Sequence, residues 1–107
     1  MSLKKAYESY FKMGTSVNRW NMQSDKAKEE LVKHYSSITA ENDMKPMYIL
    51  DETANTENPE KYNTNPAVKF DTAIPYLEFA KQNGIALRGH TLVWHNQTPF
   101  WFFKENY

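Results

Sequence analysis

The segment Ile85-Ala86-Leu87-Arg88-Gly89-His90-Thr91-Leu92-Val93-Trp94 constrains the fold more than any other part of the chain. It reads as a β-strand, and side chains along a strand alternate between two faces. Ile85, Leu87 and Val93 point one way, toward packed helices, while Arg88, His90 and Trp94 point the other way. The segments before it alternate helix and strand patterns, which calls for a parallel sheet. In an open parallel sheet helices cover both faces, and both read as apolar. An arginine and a histidine do not suit such a face, which disfavours a doubly wound, flavodoxin-like signalling domain. In a closed β/α barrel that face is the interior, and its C-terminal end is the mouth where sites are built.

The earlier elements follow from periodicity. Leu3, Tyr7, Tyr10 and Phe11 make one stripe of a helix over residues 2–11, with Ser2 as its cap. A strand over residues 12–17 places Met13, Thr15 and Val17 on one face, and Gly14 within it suggests close approach of a neighbour. The spacing of Ala27, Leu31 and Tyr35, with Val32 beside them, predicts a helix over residues 25–35. Ser24 is its expected N-cap, Asp25 suits its first turn, and Glu29 and Lys33 form an i,i+4 pair. In a strand over residues 36–41, Ser37, Thr39 and Glu41 share one face, and Ile38 and Ala40 the other. Residues 46–66 read as a long polar loop. A further helix runs from Asp71 or Thr72 to Gln82, with Pro75 in its first turn. Its stripe is Ala73, Leu77 and Ala80, widened by Ile74 and Tyr76, and Gly84 suits the left-handed position after its end.

Composition removes several classes of function. Lys plus Arg number 13 and Asp plus Glu number 13, giving a net charge of zero. That balance lacks the basic stripe of a nucleic-acid binder and the polybasic patch of a membrane binder. No run of ~18 apolar residues is present to span a bilayer, and no leader-like start occurs in this chain. The absence of cysteine excludes disulfides and thiolate metal sites. Aromatic residues reach 15%, with three Trp, seven Tyr and six Phe. The small core of a ~100-residue domain rarely needs so many, which leaves some free to act as stacking platforms.

Two strands place polar groups at a common rim. Thr39 and Glu41 face inward, and Asn42, Asp43 and Lys45 follow at the strand's C-terminal end. From the last strand, His90, Trp94 and Gln97 rise to the same rim. An acid, amides and an amine can hydrogen-bond several hydroxyls at once, and an aromatic can cover the flat face of a ring. Arg88 and Glu41 have the placement for a buried ion pair, a reading evenly balanced with a purely functional one. His90 and His95 fall on opposite faces with no third ligand, so no metal site is expected. The run Phe100-Trp101-Phe102-Phe103 reads as core filling, Trp94 as a ligand contact, and Glu29 and Glu30 as a solvated helix face.

These residues also carry a resemblance. Ser37-Ile38-Thr39-Ala40-Glu41-Asn42-Asp43-Met44-Lys45-Pro46 resembles the S-I-T-x-E-N-x-M-K segment of family 10 glycoside hydrolases, the endo-β-1,4-xylanases. Arg88-Gly89-His90-Thr91-Leu92-Val93-Trp94-His95-Asn96-Gln97-Thr98-Pro99, followed by Phe-Trp, is similar to that family's R-G-H-T-L-V-W-H-x-Q-x-P. Residues 3–17 are similar to its N-terminal helix and first strand. The resemblance is weakest over residues 47–70, where this loop is longer than in many members, and Ile74 stands where many carry Asp.

The resemblance implies an α/β chain forming the first third, about three β/α units, of a TIM (β/α)8 barrel, which needs ~250 residues in all. Residues 1–107 are then the N-terminal part of a single catalytic barrel, truncated after its third strand. The implied parent is an endo-1,4-β-xylanase that cleaves xylan internally with retention. Glu41, Asn42 and Lys45 match the family's glycone-side sugar ligands, and Gln97 matches another glycone-side contact. His90 and Trp94 match residues lining the subsite next to the scissile bond. Retention needs two carboxyl groups about 5–5.5 Å apart. The family places its acid/base Glu in W-D-x-x-N-E on the fourth strand and its nucleophile in T-E-x-D on the seventh. Neither pattern occurs here, and Thr56-Glu57-Asn58-Pro59 lacks the Asp. Both catalytic glutamates are therefore expected beyond Tyr107, and the chain alone is expected to be inactive.

No cofactor or metal is implied. The expected partner is xylan or a xylo-oligosaccharide, with no nucleic acid and no membrane. The alternative is a non-catalytic, sugar-binding or self-assembling remnant of such an enzyme. With the first and third strands flanking the second, two sheet edges stand unpaired. Self-association, or pairing with the rest of the barrel, is expected to cover them and the run Phe100–Phe103. Members of the family are mostly secreted, so an extracellular location is expected.

Overall fold

The computed structural model describes residues 1–104. Three parallel strands pair in chain order: β1 (Gly14–Val17), β2 (Ser37–Ala40) and β3 (Ala86–Arg88). Thr15 lies opposite Ile38 and Val17 opposite Ala40, while Ile38 in turn lies opposite Leu87. Partners in register share a face, so Thr15, Val17, Ile38, Ala40 and Leu87 form one side. Gly14, Ser16, Ser37, Thr39, Ala86 and Arg88 form the other, as the alternation in the sequence requires.

The first side is closed by helices. Ile38 and Ala40 are fully buried, packed with Leu31 of α3 (Asp25–His34) and with Tyr76, Phe79 and Ala80 of α7 (Ile74–Asn83). Burying an aliphatic side chain such as Ile38 contributes about 1.5–3 kcal/mol. Helix α3 starts where the Ser24 hydroxyl accepts a hydrogen bond from the Ala27 N–H at 3.2 Å. Asp25 in its first turn and Lys33 in its last complement the helix dipole. Helix α7 carries Pro75 in its first turn and ends on Gly84, whose φ of 60° is the left-handed conformation that glycine adopts without strain.

Several elements differ from the sequence reading. The first helix, α1, is confined to Leu3–Tyr7, and Leu3, Tyr7, Tyr10 and Phe11 are all exposed. Tyr7 and Phe11 instead stack on each other, with ring centroids 5.1 Å apart. A short helix, α2 (Arg19–Gln23), follows β1, closed by a reciprocal cap between Asn18 and Asn21. The expected loop over residues 46–66 contains three helical turns: α4 (Pro46–Ile49), α5 (Glu52–Glu57) and α6 (Pro59–Tyr62). Pro46, Asp51 and Pro59 start these turns; in the sequence they read as punctuation. Asn55 is buried and pins this excursion, donating to the carbonyls of Asp51 at 2.6 Å and Ala67 at 2.9 Å and accepting from the Ala67 N–H at 3.1 Å.

The third strand is three residues long, not ten; its pairing with β2 stops at Thr39 opposite Arg88, one residue before β2 itself ends. Beyond Arg88 the backbone leaves the sheet, and Val93 does not pack under a helix but is exposed, as is Leu92. On α7 the buried stripe is Tyr76, Phe79 and Ala80, while Ile74 and Leu77 face outward. A Cβ built on Gly14 would meet Ser37 at 3.5 Å, an ordinary contact, so no close approach requires glycine there. Arg88 and Glu41 are both exposed and form no ion pair among the described residues.

The result is a slab of 56 × 27 × 19 Å with a Cα radius of gyration of 16.9 Å. A compact domain of this size has a radius near ~13 Å. Replacing Asn55 by Ala is expected to strand the Ala67 N–H and lower the unfolding free energy by about 1–3 kcal/mol. Urea denaturation at unchanged slope, with faster hydrogen exchange at Ala67, is the check; a wild-type midpoint would contradict the pinning role.

Candidate functional site

Parallel strands all end on one side of the sheet, so the segments after β1, β2 and β3 meet at one rim. After Ala40 the chain turns sharply, with the Lys45 N–H donating to the Asn42 carbonyl at 2.9 Å. That turn buries Lys45 to 7% exposure. Its Nζ donates to Asn42 Oδ1 at 2.9 Å and to Gln97 Oε1. Gln97 Nε2 also donates to Asn42 Oδ1, at 3.1 Å. The ammonium stands 4.6 Å from the centre of the Trp94 ring, a cation–π contact. Asn42, Lys45, Trp94 and Gln97 are thus one cluster, assembled from the segments after β2 and β3.

Local backbone geometry delivers Gln97 to it. Gln97 has a φ of 51°, which few residues other than glycine adopt. Its N–H donates to Asn96 Oδ1 at 2.9 Å, and its carbonyl accepts from the Met47 N–H at 3.0 Å. The Thr98 hydroxyl donates to the Trp94 carbonyl at 2.9 Å, tightening the same bend.

Glu41 and His90 lie in an adjoining polar groove on the open face of the sheet, with Ser16, Ser37, Thr39 and Arg88. The rings of His90 and Trp94 are 6.1 Å apart, which joins groove and cluster. All six residues expected at the rim are therefore there, in two adjacent groups. Amide oxygens and N–H groups, an ammonium and a free carboxylate supply acceptors and donors for neighbouring hydroxyls. Trp94, half-buried, offers an aromatic surface beside them.

Asp43 is not a member of the cluster of Asn42, Lys45, Trp94 and Gln97. It is 5% exposed and points back into the fold, accepting from Arg19 Nη2 at 2.7 Å and from the Tyr76 hydroxyl at 2.6 Å. Its backbone carbonyl accepts from the Thr72 hydroxyl at 2.7 Å. Burial, then the hydrogen bond to Asp43 and its charge, push the Tyr76 phenol well above its ordinary pKa. The hydrogen bond and charge of Asp43 likewise raise that of Arg19. The sequence reading also passed over Arg19, Trp20 and Tyr48. With Asn18, Glu41 and Asn42 they line a hollow of about 210 Å³ beside the cluster. The spacing Asn18-x-x-Asn21, a helix-start pattern, was the available signal for that region.

A parallel sheet with helices on one face, and with all strands opening onto a polar rim, is a wall of a β/α barrel. The chain matches the family model of glycosyl hydrolase family 10 over residues 2–107, and it belongs to that family. It aligns with the N-terminal part of family 10 TIM barrels. It is 61% identical to endo-1,4-beta-xylanase B of Butyrivibrio fibrisolvens over all 107 residues, which are 17% of that protein. It is 49% identical to a bifunctional endo-1,4-beta-xylanase of Ruminococcus flavefaciens, covering 99% of this chain and 11% of that one. Among solved structures, a Clostridium thermocellum endo-1,4-beta-D-xylanase complexed with xylohexaose superposes with a TM-score of 0.89 at 43% identity, over 98% of this chain and 19% of that chain.

Tyr76 offers a test of the anchor behind the rim. Replacing Tyr76 by Phe is expected to destabilise the fold by about 1–3 kcal/mol at neutral pH, since a buried carboxylate oxygen loses its partner. The folded phenol titrates above the ordinary 10.0, so its stabilisation is complete below about pH 10 and is lost as the pH rises toward the folded value. Urea unfolding of both proteins at rising alkaline pH should show a shallower decline for the Phe variant; equal declines would exclude Tyr76 as the cause.

Proposed function

We propose that this chain is the first arc of the catalytic barrel of an endo-1,4-β-xylanase, where it binds the xylan backbone and leaves bond cleavage to carboxylates elsewhere in the barrel. The cluster of Lys45, Asn42, Gln97 and Trp94 at the C-terminal rim carries this reading. In it, Glu41, Asn42, Lys45 and Gln97 hold hydroxyls of the sugar on the glycone side. His90 and Trp94 line the position next to the bond that is cut. Binding at such a distance accelerates cleavage when it is used to distort the reacting sugar toward its oxocarbenium-like transition state. Solved relatives complexed with xylohexaose, at 43% identity, and with xylotriose, at 35% identity, support the substrate class.

Retaining hydrolysis needs a proton donor and a nucleophile, two carboxyl groups about 5–5.5 Å apart across the bond. Of the two acids in the turn directly after β2, Glu41 is exposed at the rim, and Asp43 is tied to Arg19 and Tyr76. That turn thus leaves a single carboxylate for chemistry, and one carboxylate cannot fill both roles. Xylan is a polymer too large to cross a membrane, which places its internal cleavage outside the cell. No described helix is long and apolar enough to cross a membrane.

In the complete enzyme, replacing Asn42 by Ala is expected to lower kcat/KM on xylo-oligosaccharides by about 1–3 kcal/mol of transition-state stabilisation. A fall in kcat as well would mean that the lost contact served distortion. Unchanged kinetics on short and long substrates would defeat the assignment.

The isolated chain should show no turnover of soluble xylan. It should also sediment above its 12.6 kDa monomer mass, because β1 and β3 present unpaired edges and Leu92, Val93 and Phe100 are exposed. Turnover that follows the chain through purification and disappears in Glu41→Gln, or a monomer that unfolds cooperatively, would count against these two expectations respectively.

A further inference from the structure

Asp43 sits inside the turn that carries Asn42 and Lys45, a turn closed by the Lys45 N–H on the Asn42 carbonyl at 2.9 Å. Each of its oxygens is engaged within the fold. One carboxylate oxygen accepts from Arg19 Nη2 at 2.7 Å and the other from the Tyr76 hydroxyl at 2.6 Å. The backbone carbonyl accepts from the Thr72 hydroxyl at 2.7 Å. At 5% exposure Asp43 has no face to offer a ligand. A charge kept this far from water depends on its partners.

The two side-chain partners are not equivalent. The Arg19 side chain is 53% exposed, so water can replace it beside Asp43, and an ion pair so open to solvent contributes little. Tyr76 is 1% exposed and belongs to the same core as Ile38, Phe79 and Ala80. On that side packing keeps water out, and a lost donor has no substitute. Thr72 holds the carbonyl and leaves the carboxylate free to rotate.

The effect falls on the neighbours in the turn. Asn42 Oδ1 receives the Lys45 ammonium at 2.9 Å and Gln97 Nε2 at 3.1 Å. Such bonds are made within ~2.7–3.2 Å, which leaves a few tenths of an ångström of slack. A carboxylate without its buried donor is drawn toward water, and the backbone that would move with it carries Asn42 and Lys45. Misplacement by ~1 Å from a change remote from the chemistry is enough to cost an enzyme much of its rate.

We infer that Tyr76, acting through the Asp43 carboxylate, is a positioning residue for substrate binding, its hydroxyl fixing the turn that presents Asn42 and Lys45. The inference rests on the proposed binding of xylan at those two residues and adds a determinant that touches no sugar. It gives α7, a helix of the outer layer, a part in binding at the end of β2.

The test uses the complete enzyme that carries this chain, an aryl β-xylobioside as substrate, and a temperature well below the unfolding midpoint of every variant. Tyr76→Phe should lower kcat/KM about five- to thirtyfold, the size of one buried hydrogen bond. Asp43→Ala should lose at least as much, and Asp43→Asn, which keeps an oxygen for the Tyr76 hydroxyl, should recover most of that loss. In an Asn42→Ala background, Tyr76→Phe should lower kcat/KM by less than about threefold, because one of the two groups it positions is gone. Its shift of the urea midpoint should be the same in both backgrounds. A residue with a merely structural role would cost the same factor in kcat/KM in both; that result, or unchanged kinetics in Tyr76→Phe, overturns the inference. So does Asp43→Asn as poor as Asp43→Ala, which would make the Arg19 ion pair the anchor. Should Tyr76→Phe fail to fold, the comparison of Asp43→Asn with Asp43→Ala decides alone. If Asn42→Ala itself leaves kcat/KM unchanged, the proposed function fails and this inference with it; if Asn42→Ala is impaired and Tyr76→Phe is not, this inference alone fails.

Discussion

The Asp43 carboxylate is almost wholly removed from water, and a buried charge left unpaired is costly. It is matched by Arg19 from the segment after β1 and by Tyr76 from α7, while Thr72 holds the carbonyl of the same residue. Removing any partner leaves a polar group stranded, so three parts of the chain must arrive together. Their convergence fixes the turn that leaves β2. Asn42 and Lys45 flank Asp43 in that turn. The cluster at the rim is therefore positioned through a polar contact made by a residue of the same turn.

The two faces of the sheet solve different problems. Val17, Ile38 and Ala40 lose their water to α3 and α7. Ser16, Ser37 and Thr39 keep hydroxyls directed into an open groove, where water or a hydroxyl-rich ligand can satisfy them. Where the segment after β3 leaves the sheet, Met44, Ile49, Leu92, Trp94, Phe102 and Phe103 border an apolar hollow of about 310 Å³. Trp94 lines that hollow and also lies beneath the Lys45 ammonium, so one indole links the apolar flank to the polar cluster.

Much of this was legible in the residues. Period-two alternation gave the faces of β1 and β2 correctly, and Ser24 and Gly84 marked helix boundaries that the structure keeps. That the segments after β2 and β3 share a rim was legible from the parallel strands, but Asn42, Lys45, Trp94 and Gln97 are brought together by the turn after Ala40 and the bend at Gln97, not by alternation. Other features depend on tertiary partners. The pairing of β3 with β2 stops at Arg88, which no pattern within residues 85–94 records. Asp43 reads as one more polar residue on a rim until Arg19 and Tyr76, 24 and 33 positions away, are seen to claim it. At α7, Ala73, Tyr76 and Ala80 of the expected stripe are buried and Phe79 joins them, whereas Ile74 and Leu77 face outward. The helical turns over residues 46–62 are short enough that caps and prolines outweigh any hydrophobic period.

The agreement between strand order in space and strand order along the chain has a consequence for synthesis on the ribosome. Each strand after the first pairs with the one made just before it, so the sheet can lengthen at a single growing edge as the polypeptide emerges. No strand has to be threaded between two others that are already paired, a step that would require separating an existing ladder. Chains leave the ribosome at about 5–20 residues per second, slow compared with the formation of individual turns and helices. Helix α3 and β2 can thus settle against β1 while the excursion over residues 46–70 is still being translated. The vulnerable interval is the wait for β3, during which the free edge of β2 stays open to pairing with another nascent chain.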